Sequence, residues 1–135
     1  MKKVLLDASV LVRMVVREEL SEVAARILED FVAGKVEVYT TDLALYESAN
    51  ALLLLAKRGV KGTEKAVDWL SRIPFPAVRI LKEDLPIIHR LASERGLTVY
   101  DASYVYHAWK NGLVLVSADE ELVEKAKGFP VCRLE

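Results

Sequence analysis

The chain of 135 residues holds one cysteine, Cys132, and no Cys/His cluster at zinc-ligand spacing. An internal disulfide and a structural zinc site are therefore excluded, and the cysteine usage is that expected of an intracellular, cytoplasmic protein. Glutamine is absent and asparagine occurs only as Asn50 and Asn111, while charged residues reach 29%. That profile is expected of a protein adapted to heat. A membrane-spanning run is also missing. Met1-Lys2-Lys3 followed by apolar residues imitates the start of a secretory leader, but Asp7 and Arg13 interrupt a stretch already too short to cross a bilayer. It reads as a first strand. The formal net charge is −1, so the basic surplus by which phosphate-binding proteins usually announce themselves is lacking. Any cationic face must be local: Arg13 with Arg17, or Lys57, Arg58, Lys61 and Lys65. The same residues equally fit a solvated rim at helix ends, and metal ions can supply positive charge instead.

What is present is an ordered alternation of short apolar runs and helical periodicity. Val4 to Leu6 is a strand followed by Asp7 and Ser9, either of which can cap a helix over Val10 to Val16. Val23, Ala24, Ile27, Leu28, Phe31 and Val32 recur at helical spacing and stop at Gly34. Val36 to Tyr39 is a second strand, and Thr41 or Asp42 caps a helix through Lys57 whose many leucines and alanines predict a largely buried element. A helix containing Ala66, Val67, Leu70 and Ile73 ends before Pro74 and Pro76, and Val78 to Leu81 resumes an extended pattern. Asp84 as cap and Pro86 in the first turn open a helix that Gly96 closes. Tyr100 to Lys110 is helical, Leu113 to Val116 a buried strand, Glu120 to Lys127 helical, and Val131 to Leu134 a last strand. No linker or repeat divides this order, which predicts a single domain over residues 1–135. Helices between short apolar strands predict an α/β fold with a mostly parallel sheet covered on both faces. In such sheets ligands sit beyond the carboxyl ends of the strands, where strand order reverses.

Four acidic motifs fall at those places: Leu6-Asp7-Ala8-Ser9, Tyr46-Glu47-Ser48-Ala49-Asn50, Tyr100-Asp101-Ala102 and Ser117-Ala118-Asp119. If the first and fourth strands are neighbours, Asp7 and Asp119 face each other across them. Glu47 and Asn50 lie three residues apart on one helix face and can point into the same crevice, and Asp101 can complete the ring. Each also has a local explanation. Thr98-x-x-Asp101 and Ser117-x-x-Glu120 have capping-box spacing, Asp7 and Asp119 are ordinary helix-start residues, and Asn50 and Ser117 fit a core amide and a cap. Glu47 is harder to explain so. A carboxylate inside an apolar helix is costly unless paired, protonated or bound to a metal. His89 and His107 lie on different helices and read as surface or packing residues, Cys132 as a small core residue. Trp69, Trp109, Tyr104 and Tyr106 read as core or interface.

Taken together, the order and separation of Leu6-Asp7-Ala8-Ser9, Glu47-x-x-Asn50-Ala51-Leu52, Tyr100-Asp101-Ala102-Ser103-Tyr104 and Ser117-Ala118-Asp119 resemble the PIN-domain ribonucleases, and within them the VapC-type toxins of toxin–antitoxin pairs, over essentially the whole chain. The resemblance implies a three-layer α/β/α fold with a central parallel sheet of four to five strands in the order 3-2-1-4-5. It implies an acidic pocket holding Mg²⁺ or Mn²⁺, endonucleolytic hydrolysis of RNA, and a homodimer inhibited by a small VapB-like antitoxin. Asp7, Glu47, Asp101 and Asp119 match the family's acidic quartet, catalytic and metal-binding, with Ser117 and Asn50 in support. Ser117 replaces the more usual Thr and keeps a hydroxyl for Asp7. Where many relatives carry a further Asp, this chain has Glu121, which puts a second metal site there in doubt. Arg13 is near enough in sequence to Asp7 to touch phosphate, though exposure explains it as well.

Rival readings make different demands. An RNA-processing nuclease of the same fold would lack an antitoxin, and a non-cleaving PIN-like binding module would bind metal without turnover. A receiver-like phosphate-handling domain would want adjacent acids after the first strand and a lysine after the last, whereas this chain has Ala8-Ser9 and Arg133-Leu134-Glu135.

Overall fold

The computed structural model describes all residues, Met1–Glu135. Strands β1 (Lys2–Leu6), β2 (Val36–Thr41), β3 (Ala77–Val78), β4 (Val114–Ser117) and β5 (Val131–Arg133) alternate with helices α1 (Ala8–Val15), α2 (Ser21–Val32), α3 (Asp42–Lys57), α4 (Thr63–Leu70), α5 (Leu85–Arg95), α6 (Val99–Lys110) and α7 (Glu120–Lys125). The strands form one five-stranded sheet in the order β3-β2-β1-β4-β5. Every pairing in it is parallel. Parallel neighbours need a crossover connection, and the intervening helices supply it. The central strand β1 is buried at Val4, Leu5 and Leu6, which pack with Leu11, Val38, Leu52, Leu115 and Leu122 in the main core. Each fully buried leucine there contributes roughly 1.5–3 kcal/mol relative to an exposed one. A smaller cluster of Ile88, Ala92, Ala102 and Tyr106 joins α5 to α6.

Local chemistry starts and stops the helices that carry the acids. The Asp7 side chain caps α1, so the helix begins at Ala8, two residues before the apolar pattern indicates. Thr41 caps α3 by accepting from the Ala44 N–H at 3.1 Å, and Thr98 caps α6 by accepting from the Asp101 N–H at 3.0 Å. Gly96 closes α5 in the left-handed conformation, φ 66°.

Several expectations need correction. The α3 helix is not largely buried: only Ala44, Ser48 and Leu52 are, while Tyr46, Leu53 and Leu54 face solvent. The run of leucines wraps around the helix further than the core beneath it extends. The third strand is Ala77–Val78 rather than Val78 to Leu81. It is an edge strand whose partners are Thr40 and Thr41, and β2 turns into α3 at the next residue, so Arg79 to Leu81 have nothing to pair with. Asp84 stands at the N-cap position just before α5 but makes no capping bond, because its carboxylate is engaged by Tyr106 and Lys110. The proposed capping box from Ser117 to Glu120 does not form either. Asp119 caps α7, accepting from the Glu121 and Leu122 N–H groups, and Glu120 pairs with Arg133. The fourth and seventh helices end earlier than their patterns indicate, at Leu70 and Lys125.

Candidate active site at the carboxyl edge of the sheet

Because β1 and β4 are parallel neighbours with Leu6 opposite Val116, Asp7 and Ser117 leave the sheet side by side. The condition set on Asp7 and Asp119 by the sequence is thus met. Ser9 joins the two segments. Its hydroxyl donates to Asp7 Oδ1 at 2.5 Å, accepts from the Ala118 N–H at 2.9 Å and lies 3.5 Å from Ser117 Oγ. Ser117 Oγ in turn accepts from the Asp119 N–H at 3.0 Å. Two short hydroxyls therefore tie the first acid to the backbone that presents the fourth. The Ser117 hydroxyl also acts on Asp7, as the sequence leads one to expect.

Glu47, half-buried on α3, is met by a group from a distant helix: Tyr104 Oη donates to Glu47 Oε1 at 2.6 Å. Tyr104 is 2% exposed. Burial and the Glu47 carboxylate hold its phenol far above the ordinary range, so it acts as a hydrogen-bond donor and not as a base. Asp101 lies in the first turn of the same helix, one turn before Tyr104.

The electrostatics follow from this crowding. Asp7 is 3% exposed, and burial pushes its carboxyl up to about 6 against the opposing pull of Ser117, Ser9 and the Val10 N–H, with Asp101 adding repulsion. Asp101 is likewise raised, chiefly by desolvation and then by the charges of Asp119, Glu47 and Glu121. None of the four acids pairs with a lysine or arginine; the ion pairs of the chain all involve other carboxylates. No three acidic, histidine or cysteine side chains converge closely enough to form a ready-made metal cage. The donor set is nonetheless one that suits a hard cation: all oxygen, unneutralised, and compatible with Mg²⁺, which keeps much of its water and takes few carboxylates. Cations of the chain do not fill that role. Arg13, half-buried, donates to the Ser9 and Glu19 carbonyls and lies 3.8 Å from Glu18, so it braces the start of the α1–α2 connection. A concavity of about 660 Å³ is lined by residues of that connection between Arg13 and Ala25 and contains none of the four acids.

Asn50, Glu121 and the two histidines complete the residues that the sequence raises. Asn50, expected to support the acids, is exposed on α3 and makes no hydrogen bond to them. Glu121 pairs with Lys125 at 2.6 Å, which holds its carboxyl low. His107 Nδ1 lies 2.7 Å from the Ser103 carbonyl inside α6, a packing role, and His89 is exposed. Two residues at the site were read from sequence in other roles, Ser9 as a possible helix cap and Tyr104 as core or interface. The signal for each was its spacing, two residues after Asp7 and three after Asp101.

A model of the PIN domain matches residues 4–128. The chain belongs to the PIN-domain family. Within it the relatives are VapC-type. Ribonuclease VapC3 of Pyrobaculum aerophilum is 39% identical over 127 residues, 91% of this chain and 94% of that protein. Exonuclease VapC9 of the same organism is 44% identical over 88 residues, covering 64% of this chain and 65% of the relative. Among solved structures, PAE2754 from Pyrobaculum aerophilum superposes with a TM-score of 0.75 at 32% identity, over 99% of this chain and 84% of that one. VapBC2 from Rickettsia felis, solved bound to a DNA fragment from its promoter, has a TM-score of 0.71 over 98% of this PIN domain and 99% of that chain; at 13% identity it shows the shared fold. No helix of the PIN domain described here is long and apolar enough to cross a membrane.

Proposed function

We propose that this PIN domain, a single domain over residues 1–135, is a metal-dependent endoribonuclease and the toxin member of a VapBC-type pair. One observation carries the proposal: four carboxylates from distant segments act on one another's charge beside the carboxyl edge of β1 and β4, Asp7 with Asp101 and Asp101 with Asp119 and Glu47, with no basic residue to neutralise them, in a VapC-type chain. Asp7, Asp101 and Asp119 would hold Mg²⁺ or Mn²⁺, which when bound lowers the pKa of water and offsets phosphate charge. Ser9 keeps Asp7 oriented, and Asp119 is fixed by its own cap on α7. Glu47, held by Tyr104, accepts a proton from the attacking water or helps to hold a second ion. In-line displacement then leaves a 5′-phosphate and a 3′-hydroxyl.

Partners fit the same reading. Tyr46, Leu53 and Leu54 on α3 and Tyr100 and Trp109 on α6 are large apolar groups facing solvent, the kind of surface a homodimer or an antitoxin helix covers. A second reading, exonucleolytic cleavage, is favoured by the likeness to VapC9 over 64% of this chain. The test separates them. Wild type and Asp101→Asn are compared on linear and circular RNA with Mn²⁺, Mg²⁺ or EDTA, and the product ends are read. Cleavage of the circle to 5′-phosphate ends, lost in EDTA and in the variant, is expected. Activity on linear RNA alone would select the exonuclease, and 2′,3′-cyclic phosphate ends would overturn the hydrolytic scheme. Co-purification of a protein encoded in the adjacent frame tests the antitoxin.

A further inference from the structure

We infer that Tyr104 is a positioning residue for Glu47, fixing one carboxylate oxygen so that the other is turned to the reaction. The inference rests on the nuclease reading of the site and adds to it a residue that sequence alone assigns to the core. Glu47 sits on α3, whose flank at Tyr46 and Asn50 is open to solvent. A glutamate there has three rotatable bonds and no basic partner, so nothing on its own helix holds it. Tyr104 Oη reaches Oε1 from across the site at 2.6 Å. The phenol is rooted in the main core at 2% exposure, and the Ala8 backbone lies against its oxygen, so the donor cannot follow Glu47 if the carboxylate swings away. A short bond from a rigid donor occupies Oε1 and leaves Oε2 as the free acceptor. The helix that presents Asp101 thereby also sets the orientation of Glu47, which couples two acids 54 positions apart in sequence through one turn of α6.

Removal of the hydroxyl by Tyr104→Phe keeps the ring and its packing. With a defined RNA oligonucleotide, the expected result is a kcat lowered about 10–100-fold, the range for loss of a group that orients a site ligand, with KM and melting temperature little changed. On a Glu47→Gln background the same substitution is expected to add no further loss, because Tyr104 acts only through Glu47. Independent, multiplicative losses would overturn the proposal, as would a fall in activity matched by a fall in folded protein. Two readouts do not depend on turnover. Calorimetric Mn²⁺ binding to wild type, Tyr104→Phe, Glu47→Gln and the double variant should show the same non-additivity. Proton NMR of the wild type should show a downfield, slowly exchanging hydroxyl with contacts to the Tyr104 ring, lost in Glu47→Ala; its absence from the wild type would overturn the proposal even if Tyr104→Phe does not fold. Should wild type bind Mn²⁺ with this coupling yet cleave no RNA, the nuclease reading fails and the positioning role stands.

Discussion

Helix α6 carries two tyrosines, two residues apart, that each donate to a carboxylate on another segment, and the two carboxylates live under opposite conditions. Tyr106 donates to Asp84 at 3.0 Å, and Lys110, one turn later, reaches the other oxygen of the same group at 3.1 Å. That ammonium holds the Asp84 carboxyl below its ordinary range. Tyr104 donates to Glu47 at 2.6 Å with no lysine or arginine to follow. Around it Asp7 is pushed up to about 6 and Asp101 is raised. The Asp84 cluster is balanced by the fold's own charges and closes the α5–α6 contact. The other group is left unbalanced, which in a folded protein is the mark of a place that something else completes. Hydrogen-bond donors are supplied in both places; the difference lies in the cation.

Isosteric neutralisation of one acid in each place gives the largest contrast. Asp101→Asn should lower RNA cleavage by about 10²–10⁴-fold, the span expected when a group acting on the reacting atoms is removed. It should also make the metal-free protein slightly more stable, because a repelled, desolvated charge is gone. Asp84→Asn should leave turnover unchanged and lower stability. Initial rates and melting curves on both variants decide it, and equal losses of activity would erase the distinction between the two clusters.

The next effect is on the pH dependence of stability. Asp7 has a folded pKa near 6 against an ordinary value of 3.8, so the folded state binds the proton more tightly than the unfolded one. The stabilisation from protonation is therefore full below about pH 4 and lost as pH rises through about 6. At pH 8 the ionised Asp7 costs roughly 3 kcal/mol, the pKa difference taken at 1.36 kcal/mol per unit. Urea unfolding of metal-free protein should show that loss between about pH 3 and 7. Asp7→Asn should flatten it, and saturating Mg²⁺ at pH 8 should recover it by binding the folded state. An unaltered pH slope in Asp7→Asn would show that the cost lies elsewhere.

Most of the frame on which these clusters sit was legible in the sequence. The alternation of apolar runs and helical spacing led to the five strands, and the motif resemblance to their order 3-2-1-4-5, which the sheet has. The neighbouring of β1 and β4 then places Asp7 beside the Ser117–Asp119 segment. What periodicity could not report was where the core runs out. The α3 leucines are as apolar as a buried helix requires, yet Leu53 and Leu54 face solvent. Nor does a single residue announce a long-range partner. Tyr104 has the composition of a core residue and is one, at 2% exposure, and its hydroxyl matters only because α3 delivers Glu47 to it. Asp84 fits a helix cap by every local criterion. Tyr106 and Lys110, 22 and 26 residues on, take its carboxylate instead.

The smallest effect belongs to that balanced cluster and sharpens the contrast by its sign. Lys110→Met removes the cation and keeps the aliphatic stem. At neutral pH it should lower the melting temperature by a small amount, since the Lys110 side chain is 42% exposed and water and salt screen the pair. Because the Asp84 pKa is depressed in the folded state, the stabilisation is present above the ordinary carboxylate value and disappears as pH falls through the folded one. The difference between Lys110→Met and wild type should therefore shrink toward acid pH, the reverse of the Asp7 behaviour, and shrink again in high salt. Tyr106 would continue to donate to Asp84, so the carboxylate is not stranded without a partner. If instead the variant loses stability equally at every pH, the α5–α6 contact is held by the Ile88, Ala92, Ala102 and Tyr106 packing and the charge pair adds nothing to it.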